Sequence, residues 1–267
     1  MNRTNIRRLL NAVMAVGLVL LATAGLGVWN NNLTQAAYDE LADRRKFESD
    51  QKIPQTEEVL LTPPVRNDPL MEESEGIPEL PLIPNPNDKW LEINPDYAGW
   101  LTVPGTAIDY PYVRSRDNAD YLIMDFYRKP AKAGTVFMDY RNLGNFKDRH
   151  LVLYGHNMKN GTMFHDLVRY HDRKFFESHR EISVSGLYET RRFRIFSVYE
   201  ITATDTVIPL HFESDRSLEE EVKLWQKQSM HPEEQPVEGG SILSLVTCSY
   251  GIDNGRTIVH AVEITQP

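Results

Sequence analysis

The stretch LSLVTCSYGIDNGRTIVHA, residues 243–261, contains two apolar, β-branched runs separated by a polar turn. Such runs around Asn254-Gly255 are typical of an antiparallel β-hairpin. The only cysteine of the chain, Cys248, ends the first run, and Arg256 begins the second. We therefore expect the thiol and the guanidinium to lie side by side at the rim of a hairpin.

Short apolar runs bounded by turn residues recur from about residue 89 onward. Eight of them are strand candidates: residues 99–105, 107–113, 134–140, 150–155, 181–186, 191–201, 241–248 and 256–264. Eight short strands at this spacing indicate a barrel or a sandwich. A helix is predicted at residues 217–230, where Ser217 and Glu220 fit a capping box. The prediction is a mainly β fold, a β-barrel with peripheral helices.

Residues 9–29 have the composition of a membrane anchor. They contain no charged side chain and follow three arginines, and about 20 apolar residues span a bilayer as a helix. The positive flank predicts a cytoplasmic N-terminus, with the rest of the chain outside the membrane. A signal peptide cleaved after Ala24 is the alternative. The apolar run continues past that position to Trp29, which favours an uncleaved transmembrane signal-anchor.

The composition changes again after the anchor. Residues 54–88 hold eight of the 16 prolines and eight acidic side chains against one basic side chain, which is typical of an extended tether. We predict residues 1–29 as tail and anchor, 30–87 as stalk and linker, and 88–267 as the folded domain. The net charge of −9, with no basic block beyond the first residues, argues against nucleic acid as a partner.

A histidine near the thiol would complete an activated nucleophile, since a Cys–His pair is the minimum for one. Among the eight histidines, His156 is favoured because an apolar strand breaks at Gly155 and delivers it to a rim. His260 lies about 13 Å along the strand from Arg256 and is interpreted as structural. Three others are expected to be solvated: His165, His171 and His179.

Each candidate also has an ordinary structural interpretation. A free cysteine is most often a small buried hydrophobe, and a strand-end arginine often only meets water. In the catalytic alternative, the Arg256 guanidinium stabilises a thiolate or holds a substrate carbonyl or oxyanion. Metal-ligand spacing and a glycine-rich phosphate loop are both absent from the sequence, so we expect no metal and no other cofactor.

Several segments resemble the sortases, and more narrowly the class B sortases. LVLYGHNM, residues 151–158, matches the family's histidine segment, and SLVTC, residues 244–248, is similar to its TLxTC cysteine segment. Arg256 takes the place of the family's arginine. Further segments also resemble this class: residues 93–113, 117–142 and 161–176. Two positions depart from the pattern, Ser244 from the first threonine of TLxTC and Val246 from the serine of many class B relatives.

The resemblance extends over about residues 88–264. It implies an eight-stranded sortase barrel in a membrane-anchored cysteine transpeptidase of a Gram-positive bacterium. Cys248 would attack the C-terminal sorting signal of a secreted protein and form a thioester, and His156 would protonate the leaving amine. Arg256 would stabilise the oxyanion or position the substrate. The acceptor would be an amine of the peptidoglycan precursor.

The resemblance also implies a substrate groove. By position, Asn118, Leu122 and Tyr154 would line it, and Thr247 would contribute its backbone or hydroxyl near the oxyanion. Each of the four could equally be a cap, core or barrel residue.

Three alternatives stay open. A pilus-assembling sortase would use a pilin lysine as the acceptor, and no feature of the sequence separates it from a cell-wall anchoring enzyme. A membrane-tethered binding module would keep the barrel without catalysis, although the intact set of Cys248, His156 and Arg256 argues against it. A secreted cysteine peptidase would hydrolyse its substrate even when an amine is supplied.

Overall fold

The computed structural model describes residues 32–46, 87–202, 208–233, 240–251 and 254–264. Within them lie eight strands: β1 Tyr97–Thr102, β2 Asp109–Arg114, β3 Val136–Met138, β4 His150–Tyr154, β5 Glu181–Ser185, β6 Thr190–Thr202, β7 Ile242–Ser249 and β8 Gly255–Ile264. The helices of the same residues are α1 (32–46), α2 Asp88–Ile93, α3 Arg173–Ser178 and α4 Asp215–Gln228, with 3-10 helices at Asp120–Leu122 and His165–His171.

The strands close into a barrel in the order β1-β2-β3-β4-β7-β8-β6-β5. The β2–β3 and β4–β7 pairs are parallel, and the other six neighbouring pairs are antiparallel. The predicted mainly β, eight-stranded barrel with peripheral helices is confirmed. Its parallel β4–β7 pair brings the strand before His156 next to the strand that carries Cys248.

Side chains on β7 and β8 alternate between two environments, because successive residues of a strand point to opposite faces. Leu245 and Val259 belong to the main core of the barrel. Val246 and Ile258 point outward and pack against Trp225 of α4. This outward face continues along β7 to Cys248 at the rim.

The helix α4 begins two residues before its predicted start. Ser214 is the N-cap, and the side chains of Ser214 and Ser217 each accept from the other's backbone N–H. The capping box is therefore Ser214 with Ser217, and the predicted box of Ser217 with Glu220 is wrong. Ser214 lies three residues before Ser217 and caps the free N–H groups of the first turn. The helix therefore begins at Asp215.

Residues 32–46, which the sequence boundaries assign to the stalk, form α1 and pack against the barrel. Tyr38 and Leu41 are each only 2% exposed, and Arg45 donates hydrogen bonds to side chains of β1 and β5. An amphipathic helix buries its apolar stripe wherever a complementary surface is available. The folded body therefore includes a helix that lies before the predicted boundary at residue 88.

The predicted anchor, residues 9–29, and most of the proline-rich linker lie outside the described residues. None of the helices in the described ranges is both long enough and apolar enough to span a bilayer.

Candidate active site

Cys248 and Arg256 are direct partners in the antiparallel β7–β8 pair, next to the final pair of Ser249 and Gly255. Direct cross-strand partners point to the same face, with Cα atoms about 4.5–5.5 Å apart. Both side chains are half-buried. Cys248 and Arg256 therefore lie side by side on one face at the rim of the hairpin, as the sequence pattern predicts.

His156 lies on the other side of Cys248, two residues beyond the end of β4. The parallel pairing with β7 runs along all of β4, and the Gly155 N–H still donates to the Val246 carbonyl over 3.2 Å. If this register continues for two residues, His156 comes to lie opposite Cys248, with their backbones about 4.8 Å apart, the usual spacing of neighbouring strands. The order across the sheet is His156, Cys248, Arg256.

Two hydrogen bonds hold the backbone on either side of His156 against β7. The Thr247 hydroxyl donates to the Gly155 carbonyl over 2.8 Å, and the Asn157 side chain donates to the Cys248 carbonyl over 2.9 Å. The histidine is thus fixed between two anchored neighbours at the level of the thiol.

Asn157 is a site residue that sequence reasoning missed. It is 4% exposed, its Oδ1 lies 2.9 Å from His165 Nδ1, and its carbonyl accepts from the Tyr250 hydroxyl over 2.9 Å. His165 was expected to be solvated, but it is half-buried and bound to this amide. A strand pattern does not indicate that an amide side chain will bind the backbone of a neighbouring strand. The only signal in the sequence is that Asn157 directly follows His156.

The other two histidines expected in solvent also have partners. His171 Nε2 lies 3.2 Å from Thr257 Oγ1, and burial lowers the pKa of His171 below its ordinary value. His179 stacks on Phe175 with ring centroids 4.1 Å apart. Both are half-buried because the segment from the 3-10 helix to α3 packs on the barrel.

The His156 Nε2 atom lies 2.7 Å from the backbone carbonyl of Leu122. A carbonyl only accepts, so Nε2 carries the proton in this contact, and Nδ1 is the nitrogen left to take or give one. Leu122 thus meets the site through its backbone. Its side chain is 37% exposed and can still line a groove.

Asn118 and Tyr154 both donate hydrogen bonds to one buried carboxylate, that of Asp139. The sequence analysis did not identify Asp139 as a site residue. The Oδ2 of Asp139 accepts from Asn118 Nδ2 over 3.2 Å and from the Tyr154 hydroxyl over 3.0 Å. Arg141 donates to both carboxylate oxygens. Burial opposes the charge, but these hydrogen bonds and the charge of Arg141 outweigh it and hold the pKa of Asp139 below its ordinary value.

Thr247 points to the opposite face of β7 from Cys248. It is 2% exposed, and its hydroxyl is bound to the Gly155 carbonyl. Because side chains alternate along a strand, this hydroxyl faces the barrel interior and not the side of the thiol, and its expected role near the oxyanion stays a prediction. A contribution from the Thr247 backbone stays a prediction.

Arg256 Nη1 lies 3.0 Å from the carbonyl of its neighbour Gly255. Among the described residues it forms no ion pair with a carboxylate. In the same part of the chain, no cluster of His, Cys, Asp and Glu could hold a metal ion.

A second polar cluster lies under α4, on the outward face of β7 four residues before the thiol. Ser244 Oγ is 2.7 Å from His150 Nε2 and 2.5 Å from His260 Nδ1, and His260 Nε2 is 2.9 Å from the Tyr199 hydroxyl. Burial lowers the pKa of His150 to about 4. Burial and the neighbouring His150 lower the pKa of His260 well below its ordinary value. The structural interpretation of His260 is confirmed.

The chain is similar in sequence to proteins of one family. Residues 101–264 match the family model described as "Sortase domain". The sortase B of Listeria monocytogenes serovar 1/2a is 35% identical over 178 residues, which cover 66% of this chain and 72% of that protein.

Solved structures give the same likeness in three dimensions. The X-ray structure of Clostridium perfringens sortase B superposes with a TM-score of 0.64 at 33% identity, covering 67% of this chain and all of the other. The Staphylococcus aureus sortase B–substrate complex gives a TM-score of 0.71 at 25% identity, covering 90% of this chain and all of the other.

Proposed function

Since this chain belongs to the sortase family, whose class B members are its named relatives, we propose that Cys248, His156 and Arg256 form its active site. As a member of this family it is a cysteine transpeptidase. The observation that carries the proposal is that Cys248 pairs directly with Arg256 on one side, while on its other side β7 pairs with β4, the strand that ends two residues before His156.

In the first step, the Cys248 thiol gives its proton to His156, and the sulfur attacks the carbonyl carbon of the scissile peptide bond. A C–S bond forms, and the carbonyl electron pair moves onto oxygen. When this tetrahedral intermediate collapses, the C–N bond breaks and the leaving amine takes the proton from His156. Nδ1 is the nitrogen that carries this proton, because Nε2 is bound to the Leu122 carbonyl.

In the second step, an acceptor amine attacks the thioester carbonyl. His156 Nδ1 takes a proton from the attacking amine, and a second tetrahedral intermediate forms. Its collapse breaks the C–S bond, makes the new amide bond and returns the proton to the sulfur. The acceptor is thereby joined to the substrate without a net change in the enzyme.

Arg256 stabilises the negative oxygen of both intermediates in this proposal. A guanidinium stays charged at any physiological pH, and this one is half-buried, where its charge is less screened than in water. The backbone of Thr247, next to the nucleophile, is a second contact for the same oxygen.

The proposed groove lies on the side of His156 that faces the β2–β3 connection. Leu122 and Ile123 expose 37% and 71% of their surface there and offer apolar contacts to a peptide. Asn118 and Tyr154 add a polar wall whose geometry is set by the buried Asp139.

We further propose that residues 9–29 anchor the enzyme in the cell membrane as a single span, with the N-terminus in the cytoplasm and the catalytic domain outside. The uncharged segment and the arginines before it support this orientation. The helix α1 is described from residue 32, three positions after Trp29. So short a connection would hold the barrel near the membrane, where secreted substrates emerge.

The proposed substrates are secreted proteins with a C-terminal sorting signal, and the proposed acceptor is an amine of the peptidoglycan precursor. A pilin lysine is the alternative acceptor.

Intact-mass spectrometry of the full chain tests the proposal. The chain is incubated with peptides that carry LPXTG, NPXTN and (S/P)PXTG signals, and one of them is expected to leave its acyl part on Cys248. Cys248→Ala is expected to acquire no adduct. If no peptide gave an adduct although iodoacetamide still alkylated Cys248, the binding module would replace the enzyme as the better account.

A further inference from the structure

The hydrogen bond that holds His156 depends on the shape of the β2–β3 connection, residues 115–135. The Leu122 carbonyl, which accepts this bond, also abuts Gly134. A Cβ at Gly134 would lie 2.9 Å from the Leu122 oxygen and 2.4 Å from the Tyr121 oxygen. The C-terminal end of the connection is therefore packed against the backbone of Tyr121 and Leu122, behind the carbonyl that binds the histidine.

Tyr38 of α1 holds this connection from its other side. The Tyr38 hydroxyl lies 2.8 Å from the Gly134 carbonyl and 3.0 Å from Thr135 Oγ1, and it accepts from the Phe126 N–H over 3.1 Å. The Thr135 N–H in turn donates to the Tyr121 carbonyl over 3.0 Å. Because Tyr38 is only 2% exposed, water cannot readily replace these contacts.

The connection has little regular structure of its own. It contains one short 3-10 helix and one isolated β-bridge between Met124 and Pro130. Its conformation is held by individual hydrogen bonds within the segment, such as that from the Ala131 N–H to the Ile123 carbonyl, and by the contacts that Tyr38 makes, so the loss of a buried contact lowers its local stability.

We infer that Tyr38 is a positioning residue for His156. Tyr38 fixes Gly134, Gly134 fixes the Leu122 carbonyl, and that carbonyl holds the proton of the imidazole on Nε2. The inference rests on the proposed catalytic role of His156, and it makes α1 a part of the catalytic unit.

The test compares two variants of the full chain that both weaken the docking of α1. Tyr38→Phe removes only the hydroxyl that binds the connection. The matched control, Arg45→Met, removes the bonds from Arg45 to Thr102 and Ser185, which lie on β1 and β5 and not on the connection. Thermal unfolding reports how much each change loosens the fold.

The first readout is the tautomer of His156, followed by NMR of chains with ¹⁵N-labelled histidine and assigned with His156→Gln. The unsubstituted chain and Arg45→Met are expected to show the proton on Nε2 alone, and Tyr38→Phe a mixture of both tautomers. The second readout is thioester formation with the active peptide. Tyr38→Phe is expected to lower kcat about tenfold with KM changed less than about twofold, because small misplacements of a catalytic group act on the chemical step.

The inference is overturned if Tyr38→Phe keeps the single Nε2–H tautomer, or if Arg45→Met gives the same mixture. Should Tyr38→Phe fail to fold, Thr135→Ser, which keeps the Thr135 hydroxyl, is compared with Thr135→Val, which removes its contacts with Tyr38 and with the Met124 carbonyl, by the same two readouts. If the unsubstituted chain forms no thioester, the proposed function fails by itself. The tautomer measurement needs no substrate and still decides the inference.

Discussion

His260 and Trp225 stack face to face, with ring centroids 4.2 Å apart and planes 10° from parallel. Trp225 belongs to α4, so this helix covers the cluster of His150, Ser244 and His260 behind the nucleophile. A buried donor or acceptor that loses its partner costs about 1–3 kcal/mol. The cluster therefore stabilises the strand that carries Cys248 only while both histidines stay neutral.

Acid is expected to destabilise the fold through His150. Its pKa is about 4 in the fold and about 6.5 when unfolded, so the unfolded chain binds the proton more readily. The stabilisation is complete above about pH 6.5 and is lost as the pH falls towards 4, on the order of 3 kcal/mol. Urea unfolding between pH 7.5 and 4 measures it. His211→Gln, at an exposed position, should leave the slope unchanged, whereas an unchanged unfolding free energy across this range would contradict the prediction.

Asp139→Asn is expected to damage the proposed groove more than the chemical step. The amide cannot accept from Asn118, Tyr154 and Arg141 as the carboxylate does, so two groove residues lose their fixed positions. Steady-state kinetics with the active peptide should show KM raised about tenfold and kcat changed less. Asp148→Asn is the matched control, because that carboxylate binds only loop N–H groups. A fall in kcat at constant KM would contradict the assignment.

Asn157→Ala is expected to weaken the link between His156 and the nucleophile strand. It removes the donor to the Cys248 carbonyl and the partner of His165, which should lower the free energy of unfolding by about 1–3 kcal/mol and slow thioester formation. Chemical unfolding and stopped-flow acylation measure the two effects. Asn160→Ala changes an exposed amide of the same loop and should do neither. Acylation at the original rate in Asn157→Ala would show that the clamp is dispensable.

Arg256→Ala is expected to slow thioester formation about 100-fold by removing a charge from the developing oxyanion. Arg256→Lys keeps a charge but not the planar fork of donors, so an intermediate rate is expected. Single-turnover acylation gives both rates, and circular dichroism checks the fold. Arg194→Ala, an exposed arginine on β6, should react normally. An undiminished rate in Arg256→Ala would remove the arginine from the mechanism.

The relation between Cys248 and Arg256 could be predicted because eight positions of one hairpin separate them. The place of His156 could not be reached in this way. The strand break at Gly155 favours His156 as the candidate, but its position beside Cys248 depends on the parallel β4–β7 pairing between distant segments, which hydrophobic periodicity does not specify.

The residues that sequence reasoning missed act through tertiary contacts. Asp139 and Asn157 are polar residues next to strands and look like ordinary turn residues until the fold buries them. The docking of Tyr38 could not be predicted either, because it depends on a surface formed by residues about 90 positions away.

Partition of the acyl-enzyme between water and amine tests the central claim most directly. The full chain is acylated by the active peptide, and mass spectrometry follows the adduct on Cys248 as an acceptor amine is added in increasing amounts. The account predicts that the amine speeds discharge and gives a ligated product, and that His156→Gln loses this acceleration. Discharge to the free acid at a rate independent of amine would contradict it and identify a peptidase.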